Sequence, residues 1–254
     1  MTFSAVIEAD RLGSLLESVS VLVDECKIHP EDDGLEIRAV GPANVGMVDV
    51  SLDAGAFESY ETTGGLIGVE LEAIENVVGM AESGDLVHLD LDEETRKLEI
   101  EIEGLEYTLA LIDPEAIRQE PDIPDLDLAA TYVFEGDELD RGVRAADLCS
   151  DHIAIEGVAD DELRFDAESD TDDVEVTVSE RDLLSGMLDE DVVSSACRSL
   201  FSLDYLQDMT KPIGSDAEVS LRVGEEMPVK LRYSRCDGDL SVTNLLAPRI
   251  SSED

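Results

Sequence analysis

Positive charge is scarce in this chain. Across 254 residues, 17 Lys and Arg stand against 63 Asp and Glu, a formal net charge of −46, and the lysines are Lys27, Lys97, Lys211 and Lys230. Catalytic signatures are missing too: no G-x-x-x-x-G-K-[ST] phosphate loop, G-x-G-x-x-G, G-x-S-x-G elbow or H-E-x-x-H pair occurs. The histidines His29, His88 and His152 lie far apart, which argues against a shared base or metal site. Cys26, Cys149, Cys197 and Cys236 form no C-x-x-C pair and read as reduced, partly buried residues of an intracellular protein. No apolar run is long enough to span a bilayer, and the N-terminus lacks a basic stretch followed by a hydrophobic one. Neither a membrane span nor a secretory signal is predicted, and the expected location is cytoplasmic.

The charge does not mean disorder, because hydrophobic content is 43%. At about 1 M salt the screening length falls to about 3 Å, so separated surface charges barely interact. An acidic surface poor in lysine therefore points to a salt-loving cytosol, with a protein that avoids or mimics nucleic acid as the other reading. Clusters such as Asp170-Thr171-Asp172-Asp173 and Asp32-Asp33-Gly34 do not fit the calcium loop and read as solvated turns.

The chain carries an internal duplication. Leu35-Glu36-Ile37-Arg38-Ala39 is echoed by Leu163-Arg164-Phe165-Asp166-Ala167 about half a chain length later, and alternating Val87, Leu89 and Leu91 by Val219, Leu221 and Val223. Residues 3–8 read as a strand. Asp10 stands as an N-cap before Leu12, Leu15, Leu16, Val19 and Leu22 at helical spacing. In the second half Tyr132 to Phe134 read as the strand, and Asp137 as the cap before Leu139, Val143, Ala146 and Leu148. Leu71, Ile74 and Val77 match Leu203, Leu206 and Met209 as second helices. The predicted fold is α+β, with two similar domains that each pack two helices on antiparallel sheets. Residues 1–112 and 132–254 are the domains. Between them, 113–131, with Pro114, Pro121 and Pro124 among acidic residues, is an extended connector.

Two alternating stretches, Tyr107, Leu109, Leu111 and Val174, Val176, Val178, read either as interior strands or as edge strands that pair between subunits. The few basic residues near helices are Arg11, Arg141, Arg144 and Lys211. They read either as locally paired charges or as one positive face.

The ending Leu245-Leu246-Ala247-Pro248-Arg249-Ile250 followed by Ser251-Ser252-Glu253-Asp254 resembles the tail of sliding clamps of the proliferating cell nuclear antigen family. Ser202-Leu203-Asp204-Tyr205-Leu206 is similar to that family's last helix, and Met227-Pro228-Val229 to the run before its penultimate strand. Ala39 to Val48 resembles the segment flanking its partner pocket, and Gln119 to Pro124 its interdomain connector. The resemblance implies a homotrimeric ring through which duplex DNA passes, with helices lining the hole and no catalysis, cofactor or metal. Tyr107, Leu109 and Leu111 would then pair with Val174, Val176 and Val178 of the next subunit.

The same resemblance implies a pocket for short partner peptides, such as those of DNA polymerase, clamp loader, flap endonuclease and DNA ligase. It is formed by Val40, Asn44, Val45, Ile123, Pro228, Leu245, Ala247 and Pro248. Asn44 stands where histidine is common and Leu245 where an aromatic is common. Arg11, Arg141, Arg144 and Lys211 would face DNA, while Gly13, Ser14, Ser20, Asn76 and Gly79 occupy positions where lysines occur in other members. Two rival readings are an acidic scaffold of the same fold that never encircles DNA, and a metal-assisted hydrolase using Asp172 and Asp173.

Overall fold

The computed structural model describes residues 2–158, 162–184 and 195–249. The tail positions Ile250 and Ser251 to Asp254 lie outside the described residues. The chain divides into two units: Met1–Pro42, Met47–Pro121 and Arg235–Val242 make the first, and Ala43–Gly46, Asp122–Ser234 and Thr243–Asp254 the second.

In the first unit β1 (Phe3–Glu8) enters α1 (Ala9–Ser20), followed by β2 (Glu25–Glu31), β3 (Gly34–Val40), β4 (Gly46–Asp53) and β5 (Phe57–Thr62). Then β6 (Ile67–Glu70) leads into α2 (Leu71–Val78), and β7 (Leu86–Asp92), β8 (Lys97–Ile102) and β9 (Leu105–Ala110) follow. One sheet has the order β5-β1-β7-β8-β9, while β4, β3, β2 and β6 are antiparallel neighbours in that sequence. The second unit repeats the plan with β10 (Ala130–Glu135), α3 (Gly136–Ala146), β11 (His152–Val158), β12 (Glu162–Glu168) and β13 (Asp173–Val178). Next come β14 (Cys197–Ser202), α4 (Leu203–Thr210), β15 (Glu218–Val223), β16 (Val229–Arg235) and β17 (Leu240–Leu246). Its four-stranded sheet has the order β13-β12-β11-β14, and β10, β15 and β16 are antiparallel neighbours.

The duplication read from sequence is structural. Leu35–Ala39 lies on β3 and Leu163–Ala167 on β12; Ile7 opposes Val87 in the first unit as Phe134 opposes Val219 in the second. At the matching place beside β10, the described residues include a bridge from Phe134 to Leu183, and the Leu184 amide donates to the Val133 carbonyl at 2.8 Å. The apolar helix positions are buried as the spacing predicts: Leu12, Leu15, Leu16 and Val19 on α1, Ile74 and Val77 on α2, Leu139 and Val143 on α3, Leu206 and Met209 on α4. Each buried leucine contributes about 2 kcal/mol of transfer free energy.

The helix starts differ from expectation. Asp10 and Asp137 are not N-caps: α1 and α3 begin at Ala9 and Gly136, with Glu8 and Glu135 in the cap positions and no side-chain cap. The loops before β7 and β15, the strands paired with β1 and β10, do this work. The Ala9 amide donates to the Asp85 carbonyl and the Gly136 amide to the Ala217 carbonyl, both at 2.8 Å, so these first-turn donors need no side-chain oxygen. A Cβ on Gly136 would stand 2.2 Å from the Gly214 carbonyl oxygen, so this approach requires glycine. Asp10 instead accepts from the Ser83 hydroxyl at 2.6 Å. Leu148 also departs from the reading: α3 ends at Ala146, the chain turns, and Leu148 is 83% exposed.

No helix or strand occupies Asp113 to Ala129. Its first residues make a turn, with the Ala116 amide donating to the Asp113 carbonyl at 2.8 Å, and Ile117 and Leu128 are buried rather than lying on the surface.

Candidate functional site

The second unit brings the segments holding Pro228 and Pro248, two residues expected to line a pocket, to one edge of its four-stranded sheet. β14 ends that sheet, and three consecutive residues on it hold two other segments. The Arg198 carbonyl accepts from the Glu226 amide at 3.0 Å, the Ser199 hydroxyl oxygen from the Met227 amide at 2.9 Å, and the Leu200 carbonyl from the Arg249 amide at 2.7 Å. Pro228 and Pro248 are thereby fixed beside the same edge. The Ala247 amide donates to the Val45 carbonyl at 2.7 Å, which ties the Ala43–Gly46 loop to the segment after β17.

Asn44 in that loop has a φ of 58°, the left-handed region that asparagine tolerates better than most residues, and this accounts for a small polar residue there. Val45, Ile123, Pro228, Ala247 and Pro248 are half-buried, apolar and available; Leu245 is buried. Val40 lies in the first unit, at the end of β3 opposite Met47.

The four basic residues do not form one free positive face. Arg144 and Lys211 line a groove of about 360 Å³ between α3 and α4, together with Asp137 and Asp140. Arg144 stands 3.3 Å from Asp140 and Lys211 2.6 Å from Asp208. Arg141 turns elsewhere: its guanidinium stands 2.5 Å from Glu138 and donates to the Thr177 carbonyl of β13 at 3.1 Å. Burial raises the Glu138 carboxyl above its ordinary range, against the opposing pull of Arg141. Arg11, in the first unit, is held by Asp239 at 2.5 Å, with Asp237 and Glu8 at 3.7 Å. Each cation thus carries a carboxylate of its own unit, and on exposed surface such pairs contribute at most about 1 kcal/mol each.

The two alternating stretches are sheet edges. Among the described residues β9 pairs only with β8 and β13 only with β12. Tyr107 is 39% exposed and Leu109 is buried, while Leu111 lies just past β9, its amide donating to the Arg96 carbonyl at 3.1 Å. Val174 and Val176 are half-buried and Val178 is buried.

Chemistry of other kinds finds little support. No group of three His, Cys, Asp or Glu among the described residues is placed to hold a metal ion. Asp172 shapes the turn between β12 and β13, its carboxylate accepting from the Thr171 hydroxyl at 2.7 Å and its amide donating to Ser169 Oγ. All three histidines sit on strands; His29 meets Glu120 at 2.6 Å and His152 meets Asp151. The four cysteines are free, and burial pushes the Cys26 thiol up to about 12. Among the described residues no helix is long and apolar enough to cross a membrane.

Comparison with known proteins agrees with this geometry. The family described as "Proliferating cell nuclear antigen, N-terminal domain" matches residues 3–110, and "Proliferating cell nuclear antigen, C-terminal domain" matches residues 122–249. The chain is 62% identical to a DNA polymerase sliding clamp of Haloarcula marismortui, covering 99% of this chain and 100% of that one. It is 60% identical to a DNA polymerase sliding clamp of Natronomonas pharaonis with the same coverage. Among solved structures, A. fulgidus PCNA bound to the C-terminal region of FEN-1 has a TM-score of 0.91 at 33% identity, covering 100% of both chains. PCNA from Thermococcus kodakaraensis has a TM-score of 0.87 at 29% identity, covering 98% of this chain and 100% of that one.

Proposed function

Because the chain belongs to the proliferating cell nuclear antigen family, we propose that it is a DNA sliding clamp, a processivity factor that encircles duplex DNA and tethers replication and repair enzymes to it. The observation that carries this reading is the full-length match to sliding clamps, on a fold in which β9 and β13 are both edge strands of their sheets. Three copies joined edge to edge, β9 of one to β13 of the next, would satisfy those edges, which otherwise invite uncontrolled pairing. DNA is then held by topology, and the clamp performs no reaction of its own.

Residues 1–112 and 132–254 act as the two clamp domains and 113–131 as their connector; the spans of the two family matches and the lack of regular structure after Ile112 support this division. Val40, Asn44, Val45, Ile123, Pro228, Leu245, Ala247 and Pro248 form the pocket for partner peptides of polymerase, clamp loader, flap endonuclease and ligase. The convergence of the Pro228 and Pro248 segments on β14 supports that role. Arg144 and Lys211 face the DNA, supported by their shared groove between α3 and α4. The protein works in the cytoplasm of a salt-loving cell, a reading supported by its net charge of −46 and its haloarchaeal relatives.

The pairing of every candidate DNA contact with a carboxylate favours one rival, a scaffold of the same fold that does not encircle DNA. Subunit mass measured against salt concentration tests the ring itself. A trimer in molar salt that dissociates as salt is withdrawn is expected, and a monomer at every salt concentration would contradict the proposal.

A further inference from the structure

In a chain with 63 acidic residues against 17 Lys and Arg, two cations outside the ion pairs of the described residues face each other across neighbouring strands. Most arginines of the described residues are ion-paired within the chain. Arg222 on β15 and Lys230 on β16 enter no ion pair among the described residues, and they are directly opposite in the antiparallel register. Like charges in that position destabilise a sheet. Arg232 follows on the same face, opposite Ser220.

The strip has a polarity. Core-facing neighbours Val219, Leu221, Val223, Leu231 and Tyr233 are buried, so the cations point away from the core, and all three stay partly exposed. Buried Arg222 Nε has no hydrogen-bond acceptor among the described residues. The only carboxylates on β10, β15 and β16 are Glu135 and Glu218, opposite one another at the far end of the strands. The cationic end adjoins Pro228, which lies two residues before Lys230 and in phase with it along the extended chain.

We propose that Arg222 and Lys230, flanked by Arg232, form a carboxylate-binding strip that takes Asp or Glu side chains next to the apolar anchors of a partner peptide. The inference rests on the reading of Pro228 as pocket floor. Salt of about 1 M cuts screening lengths to about 3 Å, so only direct contact survives, and a guanidinium and an ammonium held side by side offer that contact. A phosphate of DNA is the less fitting occupant because the strip adjoins Pro228, read above as the floor of the peptide pocket.

The test uses the intact protein in molar salt and one synthetic peptide, a one-turn helix with two aromatic anchors, in versions flanked by Asp or by Asn. The Asp version should bind roughly three- to ten-fold tighter than the Asn version, the range expected of two partly exposed charge pairs. The preference should vanish in Arg222→Gln/Lys230→Gln while the Asn version binds that variant unchanged. Equal affinity of the two versions for the wild type, or a preference that survives the double substitution, overturns the strip and leaves the pocket standing. Failure of both versions to bind overturns the pocket reading and the strip with it. Weaker retention on DNA in the variant, with peptide preference intact, assigns the strip to phosphate and overturns the proposal.

Discussion

The backbone amide of Arg249 donates to the carbonyl of Leu200 at 2.7 Å, which lays the segment after β17 along the edge of β14. That bond, with the Met227 amide on Ser199, sets Pro248 and Pro228 beside one strand although they are distant in sequence. A charge placed at either proline is expected to oppose insertion of an apolar anchor, because an unpaired buried charge is strongly disfavoured. Pro248→Asp or Ile123→Asp should weaken partner-peptide binding by at least about tenfold, measured by titration calorimetry, with subunit mass unchanged. Unaltered affinity would remove these residues from the pocket.

The open edges make a second expectation. Tyr107 lies exposed on β9, so Tyr107→Asp should leave each subunit folded while placing a charge in the joint between subunits. Arg141→Glu should act there too, since its guanidinium caps the Thr177 carbonyl of edge strand β13. Light scattering in molar salt should find dissociated subunits with unchanged circular dichroism; intact trimers in both variants would contradict the assignment of the edges.

Arg144 and Lys211 carry a different expectation. Arg144→Glu with Lys211→Glu should weaken retention on DNA without disturbing subunit mass, and the slope of log affinity against log salt should fall by about one for each phosphate no longer neutralised. An unchanged slope would take both residues off the DNA-facing surface.

Cys26 predicts an alkaline limit to stability. Its thiol ionises near the reference 9.0 in the unfolded chain and at about 12 when buried. The unfolded state therefore loses its proton first. Stability from this group is complete below pH 9 and is lost between pH 9 and about 12, with a slope approaching about 1.4 kcal/mol per pH unit. Denaturation midpoints in that window should fall less steeply in Cys26→Ala; parallel curves would show that the thiol is not the cause.

Much of this fold is legible in the sequence because periodicity reports burial. Leu71, Ile74 and Val77, and Leu203, Leu206 and Met209, recur at helical spacing because one face of each helix is covered. Helix starts are harder, since the donors of Ala9 and Gly136 are met by carbonyls of distant loops that leave no local signature. Asp10 and Asp137 mimic caps in sequence but lie inside the first turn, one residue past each helix start. Leu148 misleads for a related reason: its spacing fits α3, yet the chain has already turned.

The site is less legible than the fold. The expected pocket positions follow from family resemblance, while the approach of the Pro228 and Pro248 segments to β14 rests on two backbone bonds and the Ser199 hydroxyl, which no local pattern announces. Arg141 and Arg144 look equivalent three residues apart, but one reaches the β13 edge and the other the groove between α3 and α4. The strip of Arg222 and Lys230 has no sequence signal either, because only the register of β15 against β16 sets those charges opposite each other.

The most direct test of the clamp is retention on DNA of different topology. After loading by a clamp loader onto a nicked circle, the protein should remain bound through gel filtration in molar salt and be released once the circle is cut to a linear form. Equal retention on circle and linear DNA, or none on either after verified loading, would contradict encirclement.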